Sequence, residues 1–152
     1  MIKRNLLLLL LILTAVAACS AQDKKTMPKT DSQIVPAPGN IRLLPGYVHK
    51  PEQGIDSLPG RIFKPGGLEI FYDIGKMAGN YANGALVNQK EKIAWSKTLK
   101  VNGFDLTLVC LKDKNIYATF GEVTNFTAVV KTDEELADFL LMMTTYGDEA
   151  GK

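Results

Sequence analysis

The sequence predicts an α+β fold, an antiparallel sheet of about five or six strands with one C-terminal helix packed on a face. Three observations carry this expectation. Asn102-Gly103, the preferred pair for a two-residue type I′ turn, joins two strand-like segments. Short extended pieces punctuated by Pro and Gly fill residues 41–73. Thr132-Asp133-Glu134-Glu135 has the form of a capping box and opens a run with helical periodicity.

Between residues 41 and 67, Pro45-Gly46, Pro51, Gly54, Pro59-Gly60 and Pro65-Gly66-Gly67 break up any helix. Arg61–Lys64 and Leu68–Asp73 flank the last of these and are expected to form a hairpin. Leu68, Ile70 and Tyr72 alternate with Glu69, Phe71 and Asp73, the period of a strand. Residues 74–91, with Gly75, Gly79 and Gly84, are expected to form a long loop with a short helical turn near Lys76–Asn80.

The Asn102-Gly103 turn sets a register. Val101 faces Phe104, Leu99 faces Leu106, Lys97 faces Leu108 and Trp95 faces Cys110, with Lys100 opposite Asp105 and Thr98 opposite Thr107. Trp95 and Leu99 are expected on the buried side. Strands are expected at Ile116–Phe120 and Phe126–Lys131, separated by a turn over Gly121–Asn125. The helix then begins with Thr132 as N-cap, and Glu135 reaches back to the Thr132 backbone N–H. Leu136, Phe139, Leu140 and Met143 recur at helical spacing, and Gly147 ends the helix.

The N-terminus has a different character. Lys3 and Arg4 precede an apolar stretch, Leu6–Leu13, and small residues lead to Val16-Ala17-Ala18-Cys19. Only 13 residues separate polar flanks between Leu6 and Ala18, whereas a membrane-spanning helix needs roughly 20. Cleavage within Ala15-Val16-Ala17 would make a plain secreted protein; the placed cysteine argues against it. This order resembles the lipobox of bacterial lipoproteins, and the resemblance covers residues 3–19. It implies a signal peptide, 1–18, that is removed, and a lipidated Cys19 that becomes the first mature residue. The sulfur would carry a diacylglycerol and the amino group a further acyl chain, such as palmitate. Two or more chains anchor firmly where one does not. Ser20 in the next position favours the outer membrane of a Gram-negative cell, facing the periplasm. Residues 19–40 would be the anchor and a flexible tether with three prolines, and 41–148 a single globular domain. As a coil, residues 20–40 would reach about 25 Å.

Lys3 and Arg4 account for the whole excess of 18 basic over 16 acidic residues, so the mature part is neutral. That argues against nucleic acid as a partner. With Cys19 acylated, Cys110 is unpaired; its apolar strand setting suits a small buried hydrophobe.

No motif assigns chemistry. His49 is the sole histidine. A hydrolase could be assembled formally from His49, Ser57 and either Asp56 or Asp73, but no nucleophile elbow surrounds Ser57. One histidine and one free cysteine do not make a zinc site, and no calcium-loop spacing exists. Gly75-Lys76 lacks the hydroxyl residue and upstream glycine of a phosphate loop. Asn125-Phe126-Thr127 matches a glycosylation sequon by chance. No cofactor is implied. The region most like a site combines residues 46–60 with 73–84. Tyr47, His49, Asp56, Asp73, Asn80 and Tyr81 are its candidate ligand-binding residues. The expected protein is a non-catalytic binding or structural module, with an envelope protein or a small ligand as partner.

Overall fold

A computed structural model describes residues 34–35 and 40–148. The expected signal peptide and Cys19 lie outside the described residues. Among the described residues, nine strands and two α-helices follow in order: β1 (Ile34–Val35), β2 (Ile41–Arg42), β3 (Val48–Pro51), β4 (Leu58–Phe63), β5 (Glu69–Ile74), α1 (Tyr81–Asn88), β6 (Ile93–Val101), β7 (Phe104–Leu111), β8 (Asn115–Phe120), β9 (Thr124–Val129) and α2 (Asp133–Thr144). Short 3-10 turns occupy Lys76–Ala78 and Lys90–Lys92.

Seven strands form one antiparallel sheet in the order β3-β4-β5-β9-β8-β7-β6. The α+β class stands, with slightly more strands than expected. β1 and β2 make a separate two-stranded ladder, pairing Ile34 with Arg42 and Val35 with Ile41. Ile34-Val35 lies inside the expected tether, and its β-branched residues suit the strand that it forms there.

Register explains the layers. Ile62, Ile70, Ala128, Ile116, Cys110 and Trp95 lie side by side across six strands. The next row on that face holds Gly60, Tyr72, Phe126, Ala118 and Leu108. α2 covers both rows with Phe139, Met142 and Met143, and Leu136 and Leu140 pack at its margin. On the opposite face α1 covers only part of the sheet, where Ala82 and Ala85 meet Val109 and Leu111. Arg61 lies on the uncovered part, paired with Glu52 at 2.7 Å and Glu69 at 2.9 Å.

The β6–β7 pairing follows the expected register residue for residue. Asn102 (φ 49°) and Gly103 (φ 87°) take the left-handed conformations that the turn requires. Leu99 departs from expectation. It is 40% exposed, because β6 is an outer strand with a neighbour on one side only. The α2 cap also differs in one bond. Thr132 Oγ1 accepts from the Glu135 N–H at 3.1 Å, but the Glu135 carboxylate accepts from the Lys131 N–H at 2.6 Å, one residue earlier than a capping box requires.

The largest correction concerns residues 74–91. They contain α1, not a continuous loop. Asn80 caps it, with Oδ1 accepting from the Asn83 N–H at 2.8 Å. The remaining support comes from the sheet beneath.

Candidate functional site

The candidate residues separate into three places because neighbouring positions on a strand point to opposite faces. Tyr47 and His49 lie on the face that α2 covers. Tyr47 is buried, and its hydroxyl donates to Asp138 Oδ2 at 2.8 Å. Burial first, and then the Asp138 carboxylate, push the phenol well above its ordinary range. His49, on the outer strand β3, places Nε2 2.8 Å from the Tyr72 hydroxyl.

Asp73 follows Tyr72 and points to the α1 face. There it joins Asn80 and Tyr81 around a residue that the candidate set did not include, Asn125. Asn125 is 0% exposed, as is its neighbour Thr119. Asn125 Oδ1 accepts from the Tyr81 N–H at 3.0 Å and the Thr119 hydroxyl at 2.9 Å. Its Nδ2 donates to the carbonyls of Gly79 at 2.8 Å and Asp73 at 3.4 Å. Thr119 Oγ1 accepts from the Ala82 N–H at 3.1 Å. Two strand side chains thus satisfy the first N–H groups of α1, which a helix cannot satisfy itself. Tyr81 closes the cluster, its hydroxyl donating to Asp73 Oδ2 at 3.2 Å. Burial, then Asp73, raise the Tyr81 phenol. The cluster is a fastening for the helix. The signal for it was an Asn and a Thr at inward positions of strands that otherwise alternate regularly.

Asp56 and Ser57 occupy a third place, the loop between β3 and β4. This loop abuts Gly75: a side chain there would come within 3.3 Å of the Asp56 carbonyl oxygen. Gly75 has φ 143°, so glycine serves both the close approach and the conformation. The two loop regions therefore meet at one end of the sheet. Their junction is a wide, open groove of about 540 Å³, walled by Ile55, Leu58 and Ile74, with Ser57 and Lys76 beside them. A second hollow, about 310 Å³, lies between the Pro65-Gly66-Gly67 turn and the start of α2. The Lys64 ammonium there is already 3.9 Å from both Glu134 and Asp138, so its charges answer one another.

These positions do not assemble a Ser-His-Asp set. His49 pairs with Ile62, four residues along β4 from Leu58. That separation is about 13 Å along the strand, and Ser57 lies beyond it. His49 already shares a hydrogen bond with Tyr72, and Asp73 faces the other side of the sheet. Among the described residues, no three His, Cys, Asp or Glu side chains gather closely enough to hold a metal ion. Cys110 is buried, and burial raises its thiol pKa, which makes it unreactive.

His49 has a measurable signature. Burial lowers its pKa from the ordinary 6.5. The unfolded chain therefore binds this proton more readily than the folded one. The His49 contribution is complete above pH 6.5 and is lost as pH falls from 6.5 toward the lowered folded value. Urea unfolding between pH 8 and 5 is expected to show stability declining in that window, and His49→Gln is expected to remove that component. An unchanged slope in the variant would assign the decline to other groups.

No helix among the described residues is long and apolar enough to cross a membrane. In comparisons with known proteins, no protein family, no curated protein and no solved structure matches this chain.

Proposed function

We propose that this chain is a bacterial envelope lipoprotein, held to the membrane through an acylated Cys19. Its α+β domain acts as a non-catalytic binding or structural module. The observation that carries this reading is the ordered leader: Lys3-Arg4, then the short apolar core, then Val16-Ala17-Ala18-Cys19-Ser20. In a Gram-negative cell, Ser20 favours the outer membrane and a periplasmic domain. The joined loops at the Ile55–Gly75 end of the sheet are the binding surface. In support, they are carried on a rigid sheet and present apolar side chains outward.

The test is the mass and location of the native protein. Purified material is expected to begin at Cys19 and to carry the added mass of a diacylglycerol and a further acyl chain. Cys19→Ala is expected to move the protein from the membrane fraction to the soluble one. A bare sulfur or a retained leader would refute the anchor.

A further inference from the structure

We propose that the end of the sheet bearing Ile55, Leu58 and Met77 rests directly on the lipid bilayer. This deepens the anchored reading, on which it rests, by naming the partner of that end. Three large apolar side chains there face water: Ile55 is 99% exposed, Met77 74% and Leu58 63%. Ile55 and Met77 come from the two loops that meet at Gly75, and Leu58 opens β4. Soluble surfaces seldom gather such residues without a partner.

The second observation is where the chain arrives. The Arg42 N–H donates to Thr145 Oγ1 at 2.9 Å, just past the end of α2. Asn102 Nδ2 donates to the Thr144 and Tyr146 carbonyls, so this is also the end that holds the Asn102-Gly103 turn. Strand register runs from that turn to the apolar loops. Leu106 pairs with Phe120, Phe120 with Thr124, Thr124 with Ile74, and Ile74 with Leu58. The segment leading back to Cys19 thus joins the fold at the same end as the exposed side chains. Residues 20–33 alone separate Cys19 from Ile34, a span of about 50 Å even at full extension.

The shape favours lipid over a protein partner. Ile55 stands out from its loop, and a fluid interface can take up a projecting side chain without a matching pocket. The charges at this end are of both signs and partly paired, Arg42 with Asp148 and Lys100 with Asp105, beside Asp56, Lys76 and Glu122. Attraction would come from apolar burial and not from anionic headgroups, so it should not depend on salt.

The experiment uses the full acylated chain. Ile55→Cys is labelled with an environment-sensitive fluorophore; Cys110 is buried and the Cys19 sulfur is acylated. Val87→Cys, on the exposed side of α1, serves as the reference position. In neutral phosphatidylcholine vesicles the Ile55 label is expected to brighten several-fold, shift to the blue and be quenched by lipids brominated on their chains, at low and high salt alike. The Val87 label is expected to stay water-like. An Ile55 label no different from that at Val87 overturns the proposal. So does a response that appears only when native envelope proteins are added, which would assign this end to a protein. Intact mass of the same preparation reports separately on the anchor. If the chain proves unacylated, the anchored reading fails by itself, and a Cys19→Ser, Ile55→Cys chain labelled at position 55 and mixed with excess vesicles still decides whether this end meets lipid.

Discussion

Asn125→Leu is expected to lower the free energy of unfolding by roughly 3–5 kcal/mol, the largest loss expected from any single polar position. The substitution nearly preserves volume, so the loss isolates hydrogen bonding. Leucine leaves the Tyr81 N–H, the Gly79 carbonyl and the Thr119 hydroxyl without their partner, the last of them on a residue that is 0% exposed. Each unsatisfied buried group costs about 1–3 kcal/mol. The damage should be local before it is global. Amides of α1 are expected to lose hydrogen-exchange protection well before those of β7, β8 and β9. Urea unfolding and exchange followed by mass spectrometry check both statements. A loss under about 1 kcal/mol would mean that the helix is held mainly by Ala82 and Ala85 against the sheet.

Gly60→Ala is the second large effect, expected at about 2–3 kcal/mol. Gly60 lies opposite Tyr72, and its missing side chain is space that the tyrosine ring uses. An added Cβ would fall 2.2 Å from the Tyr72 hydroxyl oxygen and 2.3 Å from the ring carbon that bears it. The ring must move, and the bond to His49 goes with it. The cost should therefore depend on the ring. In a Tyr72→Leu background, Gly60→Ala is expected to cost under about 1 kcal/mol, a coupling that a double-mutant cycle measures. If alanine costs the same in both backgrounds, the strain lies in the backbone and not in the ring.

Parts of this structure were legible because local chemistry and burial agree. At Asn102-Gly103 the turn allows one register, and an alternating apolar pattern on each side supports it. The start of α2 was legible for the same reason, since Thr132 and the acidic first turn mark it. α1 was not. Its eight residues include Gly84 and two asparagines, poor helix formers, and its first N–H groups depend on Thr119 and Asn125, which lie about forty residues later in the chain. A helix fastened from a distance leaves little trace in its own sequence.

The candidate site divides along the same line. Alternation along β5 already implied that Tyr72 and Asp73 face opposite sides, which separates His49 from Asp73. Nothing in the sequence showed that the loops after β3 and β5 would touch, because that contact needs the β4–β5 hairpin in place. The exposure of Leu99 has a related cause. Apolar alternation reports which residues share a face, but not which strand ends up at the edge of the sheet.

The outermost strand, β6, runs for nine residues with one row of backbone groups turned away from β7. Such a border invites copies of the same protein to add on, strand to strand, and to grow into fibres, most readily where molecules are crowded together. This border is guarded. Lys97 stands between Trp95 and Leu99 on the side where an incoming strand would want apolar neighbours, Lys100 projects from the other side, and an irregularity between Ile93 and Trp95 bends the template. The chain can therefore keep a long unpaired margin and still resist self-polymerisation.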